Sequence, residues 1–240
     1  MKKTFLIALA ATALAAPAFA DHHSMSKAEH DKMHKEHSER LAKILADPSR
    51  GADAKRDQYR HPAETFEFFR LHPDHVIGEY APGGEWVSRI LGRYVNEKGK
   101  YTGLYFGTKS HFSDQQKTGI AAGIAKFPAD VAAVSGRPAT DFNAFSLSEI
   151  PDGAKGSFDR IIVMRMMHNM MNWNIADAEI KAMRDLLKDD GLLGIEQHRA
   201  KADAPFSYTD GTKGYMREAD IIKFMEVNGF ELVAKSEINA

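Results

Sequence analysis

The stretch Val76-Ile77-Gly78-Glu79-Tyr80-Ala81-Pro82-Gly83-Gly84-Glu85-Trp86 decides the fold. It opens as a short apolar strand, ends that strand on an acid, turns on Pro-Gly-Gly, and runs into a helix. In that helix Val87, Ile90, Leu91 and Tyr94 recur at i, i+3, i+4 and i+7, the spacing of one buried face. Glycines let a backbone come close to a ligand. The free N–H groups and partial positive charge at a helix start attract a carboxylate. An acid at the strand end can hold an ammonium group. A ligand carrying both an amino group and a carboxylate matches that pair. A glycine turn between strand and helix also occurs as a plain tight connection, so the loop alone leaves both readings open.

The same alternation continues on either side. Upstream, residues 58–71 read as a lead-in helix, with Pro62 as a helix-starting residue, Phe66 and Phe69 on one face, and Pro73 as the stop. Downstream, strands are expected at residues 100–106, 142–147, 158–164, 192–197 and 230–237. Helices are expected at 113–127, at 174–188 with Gly191 as the stop, and at 217–227. Strands separated by helices imply parallel βαβ units with helices on both faces of one sheet, an α/β fold. No internal repeat is present.

Composition sets the frame. The chain has 240 residues, 43% hydrophobic and 27% charged, ordinary values for one globular domain with appendages. Lys2 and Lys3, the apolar run over residues 5–16, and Ala18-Phe19-Ala20 read as a secretory signal over residues 1–20. The mature chain is expected to start at Asp21 and to reside in a bacterial periplasm. Setting Lys2 and Lys3 aside leaves 30 basic against 33 acidic residues, a balance that gives no nucleic-acid footprint. No stretch after residue 20 is long and apolar enough for stable membrane insertion. Cysteine is absent, which excludes disulfides, thiolate metal sites and cysteine nucleophiles.

Residues 21–57 form a His-rich, charged leader with one helix, opened by a Ser26/Glu29 capping box. His30, Met33, His34, His37, Leu41, Ile44 and Leu45 share one face of it. That face should dock on the domain or hold metal. Cleavage after Ala20 would place His23 third from a free amine, a four-nitrogen site suited to copper(II) or nickel(II). His22, His23, His30, His34 and His37 are therefore the candidate metal ligands. A solvated tail with incidental histidines is the competing reading.

Residues 58–240 carry a further likeness. The segments Arg60-His61-Pro62-Ala63-Glu64-Thr65-Phe66, Pro82-Gly83-Gly84-Glu85-Trp86, Phe158-Asp159 with Arg165-Met166-Met167-His168-Asn169, Gly191 to Ala200, and Gly229-Phe230-Glu231-Leu232 stand in order over about three quarters of the chain. Together they resemble a family of exported bacterial predicted methyltransferases within the class I, Rossmann-like S-adenosylmethionine-dependent superfamily. The resemblance implies a three-layer fold whose six- or seven-stranded sheet is mixed but mainly parallel. It implies S-adenosylmethionine at the ends of the first two strands, and the leader adds an N-terminal helical extension. Glu79, Ala81, Pro82, Gly83, Gly84 and Trp86 are then the cofactor-binding candidates, with Tyr105 placed to stack on adenine. Three features depart from the family pattern. Glu85 stands where a third glycine is usual, the acid that ends the second strand is missing, and the chain stops at Ala240 before the family's last strand.

Polar residues at strand ends supply the substrate side. His168 and Asn169 follow the fourth domain strand. Glu196, His198 and Arg199 end the fifth, and Glu196 is expected to pair with Arg199. His168, Asn169 and His198 are the catalytic candidates, a histidine serving as general base near neutral pH. The expected activity is methyl transfer to a small-molecule substrate. The alternative is a non-catalytic periplasmic binding protein with a degenerate cofactor pocket and a metal-binding leader. The sequence is silent on oligomeric state.

Overall fold

The computed structural model describes residues 2–8, 26–83, 86–109 and 111–239, apart from the side chain of His30. Expectations resting on His22, His23, Gly84, Glu85 or the His30 ring lie outside the described residues. The chain enters through strand β1 (Lys3–Ala8). It resumes in helix α1 (Lys27–Leu45), a 3₁₀ stretch (Pro48–Arg56) and two short helices, α2 (Asp57–Arg60) and α3 (Pro62–Phe68). Strand and helix then alternate through β2 (Val76–Tyr80), α4 (Trp86–Tyr94), β3 (Lys100–Tyr105), α5 (Asp114–Ser135) and β4 (Phe142–Ser146). The second half runs through β5 (Phe158–Met164), α6 (Met167–Asn172), α7 (Ala176–Leu186), β6 (Leu187–Glu196) and β7 (His198–Arg199). It ends with α8 (Phe206–Thr209), β8 (Tyr215–Met216), α9 (Glu218–Val227) and β9 (Phe230–Ser236).

Seven strands form one sheet in the order β4-β3-β2-β5-β6-β1-β9. The fold is the expected three-layer, Rossmann-like α/β architecture. After β2 the chain winds outward through β3 and β4, then returns to β5 on the other side of β2. The crevice beyond the β2 and β5 carboxyl ends is the topological switch point, where open α/β sheets bind ligands. Tyr80 pairs with both Leu104 and Val163, so these strand ends lie level.

The implied mixed sheet is corrected, since every described pairing is parallel. The reason is β1. It lies between β6 and β9, with Phe5, Leu6, Ile7 and Ala8 at 1% exposure or less. A strand buried on both faces needs a continuous apolar run, which this segment supplies. Lys3 closes the strand entry by donating from Nζ to the Leu187 and Lys188 carbonyls at 3.1 and 2.8 Å.

Two buried clusters fill the layers. On one face Phe5, Ile7, Ile161, Val163 and Ile195 meet Ile180, Met183 and Leu186 of α7 and Ile221 and Met225 of α9. On the other, Leu6, Ile77, Tyr101 and Ile162 meet Phe66 and Phe69 and the Ile90, Leu91 and Tyr94 face of α4. Gly194 makes room for this second layer, because a Cβ there would stand 2.7 Å from the Phe69 ring.

Several boundaries differ from expectation for local reasons. The lead-in helix breaks at His61, whose φ of 40° is left-handed; the residue before a proline is barred from ordinary helical geometry, and Pro62 then starts α3. Helix α5 runs through Pro128 to Ser135 instead of stopping at Phe127. Helix α7 ends at Leu186 because Leu187 already pairs with Phe158 in the sheet. Helix α1 has the expected Ser26/Glu29 capping box and docks by the expected face, burying Leu41 and partly burying Ile44 and Leu45. Arg40 fastens it, donating to the carbonyls of Arg93, Tyr94 and Val95 at the end of α4.

Candidate functional site

The rim beyond the level strand ends gathers the polar and aromatic residues of interest. At the end of β2, Ala81 takes a left-handed φ of 52° and donates its N–H to the Leu104 carbonyl at 2.7 Å. A non-glycine residue in that region costs free energy, and such strain collects at functional turns. Pro82 and Gly83 follow, and α4 begins at Trp86. A Cβ on Gly83 would stand 3.6 Å from the Ala81 carbonyl oxygen, an ordinary van der Waals contact.

Glu79 is turned into the protein. Its Oε2 accepts hydrogen bonds from Ser88 Oγ at 2.9 Å and from the Tyr101 hydroxyl. Burial raises its pKa to about 7, with the Tyr101 and Ser88 bonds pulling the other way. The oxygen expected to hold an ammonium group is thus already bonded by two hydroxyls. Trp86 is also committed inward, its indole N–H donating to the Asp53 carbonyl at 3.2 Å. The 3₁₀ stretch therefore seals the outer side of α4, helped by the Arg89–Asp53 ion pair.

Tyr105 stands between two depressions. A small one is lined by Pro82, Ser88, Tyr105 and Phe127. A larger one, about 360 Å³, is lined by Tyr105, Phe106, Phe112, Ile120 and Trp173, mostly apolar and aromatic. That volume falls at the lower end of ordinary small-molecule sites. Phe106 and Trp173 meet edge to face at 5.0 Å between ring centres. The loop after β3 is closed by Glu179, a residue the sequence reading did not single out. Its Oε1 accepts the Gly107 N–H at 3.0 Å, and burial raises its pKa to about 7. In the sequence Glu179 looks like any acid in the first turn of a helix; only the fold carries it to the β3 loop.

Beyond β5, the backbone N–H of His168 donates to Gln197 Oε1 at 3.3 Å, and His168 Nδ1 lies 3.2 Å from the same oxygen. Gln197 Nε2 donates to the Gly214 carbonyl at 2.7 Å. An amide N–H and a carbonyl leave no choice of role, so Oε1 is the acceptor and His168 Nδ1 carries the proton. The neutral ring then presents the Nε2 lone pair, the form a general base needs. Gln197 was also missed, because a glutamine at a strand end has no motif of its own. His198 lies close by and is exposed; partial burial, then Arg165 and His168, lower its pKa. Its ring sits 5.6 Å from that of Tyr215, which stacks on Tyr208 at 5.4 Å. Asn169 Nδ2 donates to Met166 Sδ, a local contact.

The expected Glu196–Arg199 pair does not form. Arg199 bonds Glu218 and Glu237, while Glu196 faces Arg165, 3.9 Å between Nε and Oε2. Strand β6 ends at Glu196, and Gln197 just beyond it meets His168. Burial raises the Glu196 pKa to about 7, with Arg165 opposing. Among the leader histidines, His34 Nε2 lies 3.4 Å from Glu67 Oε1, and the His37 ring packs 4.7 Å from that of His72.

No family model and no curated protein matches the sequence. Solved structures do. A SAM-dependent methyltransferase from Aquifex aeolicus aligns with a TM-score of 0.50 at 16% identity, over 79% of this chain and 87% of that one. A geranyl diphosphate methyltransferase in complex with SAM aligns at a TM-score of 0.46 and 11% identity, over 78% and 73%. An arsenic(III) S-adenosylmethionine methyltransferase from Chlamydomonas reinhardtii gives 0.41 and 14%, over 65% of this chain and 52% of that one. The first of these likenesses shows that the two chains share the Rossmann-like α/β fold.

Proposed function

We propose that this chain binds S-adenosylmethionine at the carboxyl rim of its sheet and transfers the methyl group to a small acceptor. The observation that carries this is the aromatic cleft of Tyr105, Phe106 and Trp173, opening at the end of β3, the neighbour of β2, in a Rossmann-like fold. Its flat aromatic walls suit an adenine ring, and the β2 turn at Ala81 to Gly83 is the place for the amino-acid end of the ligand. Bound S-adenosylmethionine supplies an electrophilic methyl carbon. The protein's task is to hold the acceptor in line with that carbon and to take its proton. His168 Nε2, with Nδ1 fixed by Gln197, is the group for that proton, and the exposed Tyr208, Tyr215 and His198 rings border the acceptor side.

The second reading is a non-catalytic binder. It is favoured by Glu79 Oε2, already bonded by Ser88 and Tyr101, and by the Trp86 indole, spent on Asp53. The periplasmic address expected from the basic start and Ala18-Phe19-Ala20 competes with the place of β1 in the sheet, and this proposal takes the chain with β1 in place. Processing after Ala20 would remove β1, so the site is assigned to the full chain.

Isothermal titration of the full chain with S-adenosylmethionine and S-adenosylhomocysteine tests the cofactor. Binding of both, lost in a folded Gly83→Val protein, supports the site; no binding of either overturns it. Release of S-adenosylhomocysteine with a panel of small phenols, amines and thiols, lost in His168→Gln while binding is kept, separates enzyme from binder.

A further inference from the structure

We propose that His72, Asp74 and His75, completed by His37 of the docked leader helix, form a binding site for one divalent transition-metal ion such as zinc. One ligand atom from each of His72, Asp74 and His75 lies within 4.8 Å of the others. The His72 and His75 rings are stacked at 4.4 Å, and the His37 ring sits 4.7 Å from that of His72. Among the described residues, His37 Nδ1 is buried with no hydrogen-bond partner. A buried ring nitrogen left unbonded is costly, and a metal ion would satisfy it.

The backbone here is already fixed. Pro73 accepts the Asn96 N–H at 2.7 Å, the His75 carbonyl accepts the Lys100 N–H at 3.0 Å, and His75 N–H returns to the His72 carbonyl at 3.2 Å. The ligands therefore project from a rigid loop between α3 and β2, while Asp74 is exposed and free to turn inward. Tetrahedral ligands at zinc distances stand about 3.3 Å apart, so side-chain rotation within the cluster closes the site. The His72 N–H to His75 Nδ1 bond is long, 3.3 Å, and ligation through that nitrogen would replace it. Arg160 and Lys188 bring positive charge to the inner side of His75, and Asp159 takes Lys188 at 2.6 Å. Imidazole and carboxylate donors without thiolate suit zinc, copper(II) and nickel(II).

The site differs from the leader site expected from sequence. It needs neither His22 nor His23, and it joins the leader to the loop that enters β2. Metal would pin α1 to the domain.

The metal-free full chain titrated with zinc should take up one equivalent, with a rise in thermal midpoint. Cobalt(II) should give the intense visible bands of a tetrahedral site. His72→Gln and Asp74→Asn, both off the packed core, should each weaken zinc by at least about tenfold. His37→Gln should weaken it and abolish the rise in midpoint. His34→Gln, one turn away and beside Glu67, should change neither. The proposal is overturned if the wild-type chain takes up no zinc or if the loop variants bind as the wild type does. It is equally overturned if replacing His22 and His23 removes the binding. None of these outcomes depends on S-adenosylmethionine.

Discussion

Strand β1 and helix α1 are both N-terminal additions to the alternating domain, and they are held in opposite ways. The strand is six residues long, yet four of its side chains are completely buried, and it is paired on both edges. The helix is nineteen residues long and, among its described side chains, buries only Leu41 fully, leaving most of its charged surface in water. Strand β1 contributes to both clusters, Phe5 and Ile7 to one and Leu6 and Ala8 to the other, whereas α1 touches one cluster from outside. Length is therefore a poor guide to what a segment contributes. Apolar area removed from water, on how many faces, is the better one. Removing β1 would also bare two strand edges, each a row of unpaired backbone groups.

The harshest way to break this comparison is to delete residues 1–20. Each fully buried large side chain is worth about 1.5–3 kcal/mol. Three of them, with the lost pairing on two edges, should exceed what a single domain of this size has in reserve. Urea unfolding followed by circular dichroism should show no cooperative transition near the full-length midpoint. An unchanged midpoint would mean that the strand does not belong to the working sheet, as a processed export signal requires.

A gentler version is Ile7→Ala, expected to cost about 4 kcal/mol because the site is enclosed on all sides and cannot collapse. The next effect concerns Glu196, which lies in register with Ala8 at the end of β6. Its pKa in the folded chain, raised by burial to about 7, exceeds the unfolded value. The folded state therefore holds the extra proton. The stabilisation is complete below the unfolded pKa and is lost as pH rises through about 7. Glu196→Gln should remove up to about 3 kcal/mol of pH-dependent stability across that window. Unfolding midpoints measured from pH 4 to 8 check it; a slope that survives the substitution assigns the effect elsewhere, with Glu79 and Glu179 the next groups to replace. The smallest effect belongs to α1: Leu41→Ala should cost about 2 kcal/mol, since a docked helix can shift to fill part of the gap. If it costs as much as Ile7→Ala, the contrast between the two segments fails.

The parts of the site that were legible in the sequence share one property: they announce themselves locally. The Ser26/Glu29 cap, the β2 strand and its turn, and the apolar face of α4 are all patterns within a few residues. Gln197 and Glu179 were illegible because their roles are made by contact. Gln197 matters through His168, 29 positions away, and Glu179 through Gly107, 72 positions away. The inward turn of Glu79 was likewise invisible, since a strand-end acid reads the same whether it faces a ligand or Tyr101.

The apolar run after Lys3 shows where the division lies. By itself the sequence determined that residues 5–8 must leave water, and that the alternating segments after residue 75 must build a parallel sheet between helices. It did not determine where the first run would be buried. A signal's apolar core and a central parallel strand carry the same pattern, because both environments ask only for continuous hydrophobicity. Tertiary structure made the choice among these, setting Thr4 against Gly191 across 187 residues of chain and the leader helix against α4. Parallel pairing is non-local: its hydrogen-bond partners are set by how distant segments arrive beside one another, and no window of sequence contains both.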